Sequence, residues 1–146
     1  MDMRYAAFAL MAGLSACSLS SSGTGGECVN DQQCGDDVCA RSGECLSPSS
    51  VRQVVVKWTM NGAAADSATC AAHPNLSVQF NGSEYSDMLR FAPVPCREGS
   101  FFVDHLPKRY VQVELGVEGA GHSADVAPID LSPDLATGTA QFDIAQ

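Results

Sequence analysis

Residues 111–117 read VQVELGV, so that valine or leucine occupies every second position. A period of two is typical of a β-strand that buries one face and exposes the other. The same apolar alternation occurs over residues 54–60, 76–80 and 140–144. Because the pattern recurs without a convincing helical period, the larger part of the chain is predicted to be mainly β.

Three less regular apolar runs complete the predicted strands, at residues 88–91, 101–103 and 126–131. Pro128 interrupts the last run, and because proline cannot donate a ladder hydrogen bond, this run is predicted to be an edge strand or a loop. About seven short strands within residues 51–146 indicate a C-terminal β-sandwich. A small open barrel would show the same alternation and remains an alternative.

The composition indicates an acidic chain with enough apolar residues for a packed core. Its 146 residues are 45% hydrophobic, and 17 Asp and Glu outnumber 8 Lys and Arg. The formal charge of −9 at pH 7 repels phosphate backbones, so nucleic acid is an unsuitable partner. Seven cysteines are too many for a reduced cytosolic chain of this length without a metal site.

Four cysteines lie close together, in the motif Cys28-x5-Cys34-x4-Cys39-x5-Cys45. The residues between them are mostly turn formers, so this segment cannot build a core and needs cross-links instead. Disulfides are expected because zinc sites favour closer ligand spacings, and because the apolar run near the start of the chain indicates export, which favours oxidation. Zinc ligation is the alternative. No metal or other cofactor is expected. The nearby aspartates, Asp31, Asp36 and Asp37, lack the spacing of a calcium loop and are expected to be solvated turn residues.

With Asp31 between the first two cysteines and Gly43 before the last, residues 28–45 resemble small Dickkopf-N-terminal-like or EGF-like cysteine modules. Four cysteines permit three connectivities. The resemblance implies the interleaved one, which joins Cys28 to Cys39 and Cys34 to Cys45.

Cys70 and Cys96 flank the second and third predicted strands and can pair with each other. Their pairing would close a loop worth about 3.5 kcal/mol in the chain-entropy model. With six cysteines paired in this way, Cys17 is the cysteine that needs a separate explanation.

Residues 102–113 read FVDHLPKRYVQV. They resemble the LP-x-G-x-Y-x-V-x-V stretch of carboxypeptidase-regulatory-like, transthyretin-like and collagen-adhesin B-type sandwich domains. The chain departs from this pattern where Lys108 and Arg109 stand in place of the usual turn glycine. The resemblance implies a structural or binding sandwich and brings no catalytic residues. The matching positions are Leu106, Pro107, Tyr110, Val111 and Val113.

Near the start of the chain, residues 5–14 form an apolar run after a short polar segment. Ten helical residues span about 15 Å, half of a bilayer core, so this run is expected to belong to a signal peptide. It ends in Leu14-Ser15-Ala16-Cys17, which resembles the lipobox of bacterial lipoproteins. The resemblance implies cleavage between Ala16 and Cys17 and a lipid on Cys17 that anchors the chain to a membrane.

Ser18, the residue after the lipobox cysteine, resembles the sorting signal for an outer rather than an inner membrane. The Ser- and Gly-rich residues that follow cannot bury enough apolar surface to fold and are expected to form a flexible tether. The expected order is therefore a signal peptide (1–16), a lipidated cysteine and tether (17–27), a cysteine module (28–45), a linker (46–50) and a sandwich (51–146).

No catalytic site is expected. His73, His105 and His122 fall in separate turns or strand ends and form no metal-binding cluster in the sequence. Asp104 precedes His105, but no G-x-S-x-G elbow accompanies the pair, so a hydrolase is not indicated. Trp58 lies on the apolar face of its strand and is expected in the core rather than exposed to stack on a carbohydrate.

The sequence thus favours a non-enzymatic lipoprotein of the cell envelope that acts as a structural or protein-interaction module. Its expected partners are the membrane, through the lipid, and an envelope protein or glycan. Two alternatives stay open. The first is glycan or small-ligand binding by loops at one end of the sandwich. The second is a protease inhibitor or enzyme accessory built on the cysteine module, with residues 36–42 as an exposed loop.

Overall fold

The computed structural model describes residues 28–84, 86–118 and 125–145. Within these residues the chain is mainly β, and its helical segments are single turns of 3-10 helix. These turns comprise Asp31–Gln33, Pro48–Ser50 and Cys96–Glu98. Within the residues described, no helix has the length and hydropathy that a membrane-spanning helix needs.

The longer strands of the described residues fall where the sequence predicts them, whereas the two-residue strands at 38–39, 45–46 and 63–64 were not predicted. Every predicted run coincides with a strand of four residues or more, so the prediction of about seven strands in the C-terminal part is confirmed. In chain order the strands are β1 (Val38–Cys39), β2 (Cys45–Leu46), β3 (Val51–Met60), β4 (Ala63–Ala64), β5 (Asn75–Asn81), β6 (Met88–Pro95), β7 (Ser100–Pro107), β8 (Gln112–Val117), β9 (Asp125–Pro128), β10 (Asp130–Leu131) and β11 (Thr137–Ile144).

The longer strands form two sheets, and β1 and β2 form a separate small ribbon in the cysteine module. The first sheet has the order β10-β11-β3, with β7 and the short β4 on the other side of β3. Its β11 runs parallel to β3, whereas its other pairs are antiparallel. The second sheet, β6-β5-β8-β9, is antiparallel throughout. Among the described residues no strand pair joins the two sheets, which makes the fold a sandwich rather than a barrel.

Alternate side chains of both sheets form one core, as the period of two predicts. In β11, for example, every second residue from Gly138 to Ile144 is buried. Trp58 belongs to this core, and its indole Nε1 donates a hydrogen bond of 2.7 Å to the carbonyl of Cys96. The expectation that Trp58 packs in the core is therefore confirmed. The largest fully buried side chains include Phe80, Met60, Leu76, Leu106 and Val54.

Strand β9 ends at Pro128 and lies at the edge of the second sheet, beside β8. This position agrees with the prediction of an edge strand, since proline has no N–H for a further neighbour. The chain then passes to the first sheet through Ile129, because the next strand, β10, pairs with β11.

The pairing of β3 with β7 contains a bulge that places the cysteine module. Between the pairs Arg52–Leu106 and Val54–Val103, β7 has one residue more than β3. His105 lies in this extra stretch with φ 45°, a left-handed conformation that costs a residue other than glycine free energy. Bulges redirect the chain at sheet edges. Here the redirected backbone faces the cysteine module.

Candidate functional site

Two disulfides hold the cysteine module together. They join Cys28 to Cys39 and Cys34 to Cys45, with Cα–Cα distances of 5.7 and 5.3 Å. This interleaved pairing is the one that the resemblance implies. The sulfurs of Cys28, Cys34 and Cys45 lie within 4.8 Å of one another, yet each is bonded within a disulfide rather than free to act as a metal ligand.

A third disulfide joins Cys70 to Cys96 in the sandwich, as expected from the cysteine count. Both residues are buried, and the bond ties the connection between β4 and β5 to the end of β6. Met60 contacts the bond, with its sulfur 3.6 Å from Cys96 Sγ. This disulfide is therefore part of the core rather than a surface staple.

Asp31 is half exposed but has a structural role in the module. Its Oδ1 accepts a hydrogen bond of 2.8 Å from the backbone N–H of Cys39, eight residues away. The same carboxylate oxygen lies 3.7 Å from Nδ1 of His105, on strand β7. Asp36 and Asp37 are exposed, as expected of solvated turn residues. The sequence did not indicate that Asp31 would link the module to the sandwich.

The module lies against the outer edge of β7 through a segment that contains Ala40 and Arg41. The Arg41 N–H donates a hydrogen bond of 3.1 Å to the carbonyl of His105. The Arg41 guanidinium forms an ion pair with Asp104, and its Nε lies 2.6 Å from Oδ1. Ala40 is buried. Within the loop that an inhibitor would present, residues 36–42, Arg41 is thus held against the sandwich, whereas Asp36 and Asp37 are exposed.

A second set of contacts joins the module to two loops of the sandwich. Arg109 Nη2 lies 2.5 Å from the Glu44 carboxylate, and Arg109 Nε lies 2.8 Å from that of Asp87. The guanidinium also lies 5.0 Å from the centre of the Tyr110 ring, within range of a cation–π contact. A hydrogen bond from the Ser42 hydroxyl, together with Arg109, lowers the pKa of Glu44 below its usual value. This carboxylate therefore stays ionised at neutral pH.

These contacts define a surface, the junction, where residues 28–46 meet β7 and the β7–β8 loop. The junction contains a cleft of about 400 Å³ lined by both parts of the chain, including Asp31, Arg41, Asp104 and His105. Two exposed apolar side chains also belong to the parts that meet here. They are Val29 in the module and Phe102, which shares β7 with Asp104.

Lys108 and Arg109, which replace the turn glycine of the resembled motif, fit their loop. Neither residue has a positive φ, so the β7–β8 loop does not require glycine at this point. The N–H of Lys108 donates a hydrogen bond of 2.9 Å to the carbonyl of Ser50, within the segment that composition marks as a linker. Pro48–Ser50 forms a 3-10 turn there.

Arg52 is a further residue that the sequence analysis did not single out. It occupies the inward face of β3 with Val54 and is 5% exposed. Its Nη2 donates hydrogen bonds to the carbonyls of Lys108 and Tyr110, whereas its Nε has no partner. Burial lowers the pKa of this guanidinium from its usual value. The sequence does contain a sign of this burial, because Arg52 lies two residues before Val54, at a position where the alternation of β3 calls for an apolar residue.

Of the remaining residues that the sequence analysis named, two histidines lie within the described residues and the others do not. His73 lies in a bend before β5, and His105 lies in β7 beside the module, so these two histidines are not brought together. Cys17, Ala16 and His122 lie outside the described residues. No protein-family model matches the chain, and no curated protein and no solved structure shows significant similarity to it.

Proposed function

We propose that the chain is an exported lipoprotein anchored through Cys17, whose module and sandwich act as a non-enzymatic protein-interaction unit of the cell envelope. The observation that supports the proposal most directly is the pairing of six cysteines in three disulfides. Three disulfides in so short a chain fit an oxidising compartment outside the cytosol. Cys17 is then the one cysteine of the seven without a partner in these bonds.

The lipid anchor rests on the lipobox-like residues 14–17 and on this cysteine count. Growth with a clickable fatty acid should label the protein, and a Cys17→Ser variant should lose the label. A matched Ser15→Ala variant keeps a small residue before the cleavage site and should retain it. Labelling of the Cys17→Ser protein would contradict the proposal. The outer membrane is the proposed destination, and membrane fractionation of the labelled protein tests it.

The junction is the surface that we propose for a protein partner. It places the Arg41–Asp104 ion pair and a cleft between two disulfide-bonded parts beside β7, the strand that also carries the exposed aromatic side chain of Phe102. Aromatic and arginine side chains are enriched in protein interfaces, and disulfides and ion pairs reduce the entropy lost on binding. The chain as a whole carries a formal charge of −9, which favours a partner with a basic or apolar face.

Site-specific photo-crosslinking in living cells tests this surface. A benzophenone amino acid at position 102 should form a discrete crosslinked product, and Arg41→Glu should weaken it. Position 126 is the matched control, because Val126 is 57% exposed, as Phe102 is, but lies on the second sheet. Equal products from both positions, or none from position 102, would contradict the proposed surface.

Glycan binding remains the second candidate function, and one feature of the second sheet favours it. Gln79 Nε2 donates hydrogen bonds to Asn81, at 2.9 Å, and to Glu114, at 3.4 Å. These side chains and Gln112 line a groove of about 320 Å³. Amide and carboxylate groups can bind sugar hydroxyls. A glycan array with the Gln79→Ala variant as control tests this candidate, and binding that the variant retains would exclude the groove.

A further inference from the structure

Arg52 is a buried cation without an acidic partner. Of the residues that the structure describes, it is the one charged residue that is buried, and no carboxylate forms an ion pair with it. Two carbonyl groups accept hydrogen bonds from its Nη2, and its Nε is left without an acceptor. Burying a charge is costly unless it is paired, so an anion beside this guanidinium would stabilise the fold.

Arg52 lines a cleft that differs from the cleft of the junction. The cleft measures about 450 Å³ and lies between the module, the start of β3 and the β10–β11 loop. Lys108 and His105 also line it, and Asp134 is the one carboxylate among its lining residues. Asp134 is already engaged, since its Oδ1 accepts hydrogen bonds from the Ser132 hydroxyl and from the N–H of Ala136.

The charges of this cleft contrast with those of the whole chain. Arg52 and Lys108 against Asp134 leave it one positive charge in excess, with His105 counted as neutral, whereas the chain carries −9. A single excess charge suits a monoanion better than a doubly charged phosphate. The remaining wall is largely aliphatic and would accept a short hydrocarbon group. Its apolar lining residues are Val38, Pro48, Val51 and Ala136.

We infer that this cleft binds a monocarboxylate with a short aliphatic group, held by Arg52 and Lys108. Such a group occurs both in small organic acids and at the C-terminus of a peptide chain that ends in an aliphatic residue. Arginine suits this task because its guanidinium stays charged, and a hydrogen bond from a charged donor to a carboxylate is stronger than one between neutral groups. This cleft is a different surface from the crosslinking site at Phe102. The carboxylate site and the protein-binding surface can therefore be disproved independently of each other.

An NMR titration of the full-length, ¹⁵N-labelled chain tests the inference through the Nε–H resonance of Arg52. Butyrate should shift this resonance saturably, whereas its uncharged isostere butyramide should not. N-acetylvaline that binds more tightly than butyrate would indicate a peptide C-terminus, and weaker binding would indicate a free acid. The absence of a saturable shift with butyrate, or an equal shift with butyramide, would overturn the inference.

Variants distinguish a specific site from general attraction. Arg52→Gln should weaken butyrate binding more than tenfold, and Lys108→Gln by about three- to tenfold, as expected for loss of charge-assisted hydrogen bonds. Lys57→Gln is the matched control, because it removes the same charge from an exposed position outside this cleft, and it should change binding less than twofold. If Arg52→Gln does not fold, the butyrate affinities of Lys108→Gln and Lys57→Gln are compared instead. Equal weakening of butyrate binding by these two substitutions would overturn the inference.

Discussion

The cysteine module and the sandwich are stabilised by different means. In residues 28–46 only Cys28 and Ala40 are buried, and two disulfides cross-link eighteen residues. The sandwich has a continuous core that includes Trp58, Phe80 and Val113, and it contains one disulfide within that core. Disulfides therefore replace a core in the first region and add to a core in the second.

The difference has a consequence for how the two regions depend on each other. The sandwich buries its own apolar residues and should fold without the module. The module has its two disulfides and the contacts of the junction, and those contacts are made by half-exposed charged side chains. We therefore expect changes in the core to affect the whole protein and changes in the junction to affect mainly the module.

The largest effect is expected from a cavity in the sandwich core. Phe80→Ala should lower the free energy of unfolding by about 3–5 kcal/mol, since Phe80 is fully buried and edge-on to Phe91. Urea denaturation measures the change. Phe102→Ala is the matched control, because the same side chain is removed from an exposed position, and it should cost well under 1 kcal/mol. Equal costs would contradict the assigned core.

Removal of single disulfides should affect the stability of the two regions differently. Replacing Cys70 and Cys96 by alanine should destabilise the sandwich by about 3.5 kcal/mol, from a loop of 26 residues. Replacing Cys34 and Cys45 should instead abolish dispersed NMR signals of residues 28–46 and leave those of the sandwich in place. If the sandwich unfolds together with the module, the two regions are not independent.

Loss of the Arg109 contacts should weaken the attachment of the module. Arg109→Ala removes ion pairs to Glu44 and Asp87, and it should cost about 1 kcal/mol because the pairs are partly solvated. Faster hydrogen exchange of the Arg41 N–H, which is bonded to His105, would report the loosened module. Arg97→Ala is the control, since its ion pair with Glu98 is more exposed and outside the junction. An unchanged exchange rate would contradict the attachment.

The smallest effect on the attachment of the module is expected from lowering the pH. The pKa of Glu44 is lowered in the folded protein, so its ionised form contributes stability above its unfolded value of 4.5. This contribution is lost as the pH falls through the folded value. Exchange of the Arg41 N–H should therefore rise below about pH 4.5 relative to that of core amides. Glu44→Gln should flatten this pH dependence, and an unchanged profile would contradict the role of Glu44.

The sequence was sufficient to predict the longer strands, because alternation depends only on which face of a strand is buried. The edge position of β9 followed from Pro128 for the same local reason. The junction could not be predicted, since Arg41 meets Asp104 across 63 residues and Arg109 meets Glu44 across 65. Such contacts depend on how two folded parts pack. The burial of Arg52 could be predicted from its position in the alternation of β3, but its hydrogen bonds to two backbone carbonyls could not.

Top-down mass spectrometry of the protein extracted from membranes, without reduction, tests both the lipid anchor and the disulfide pairing. We expect a chain that begins at Cys17, carries acyl chains on that residue and contains three disulfides among the other six cysteines. Fragmentation should place the bonds at Cys28–Cys39, Cys34–Cys45 and Cys70–Cys96. An unmodified Cys17 would contradict the lipid anchor, and free thiols among the six would contradict the disulfide pairing.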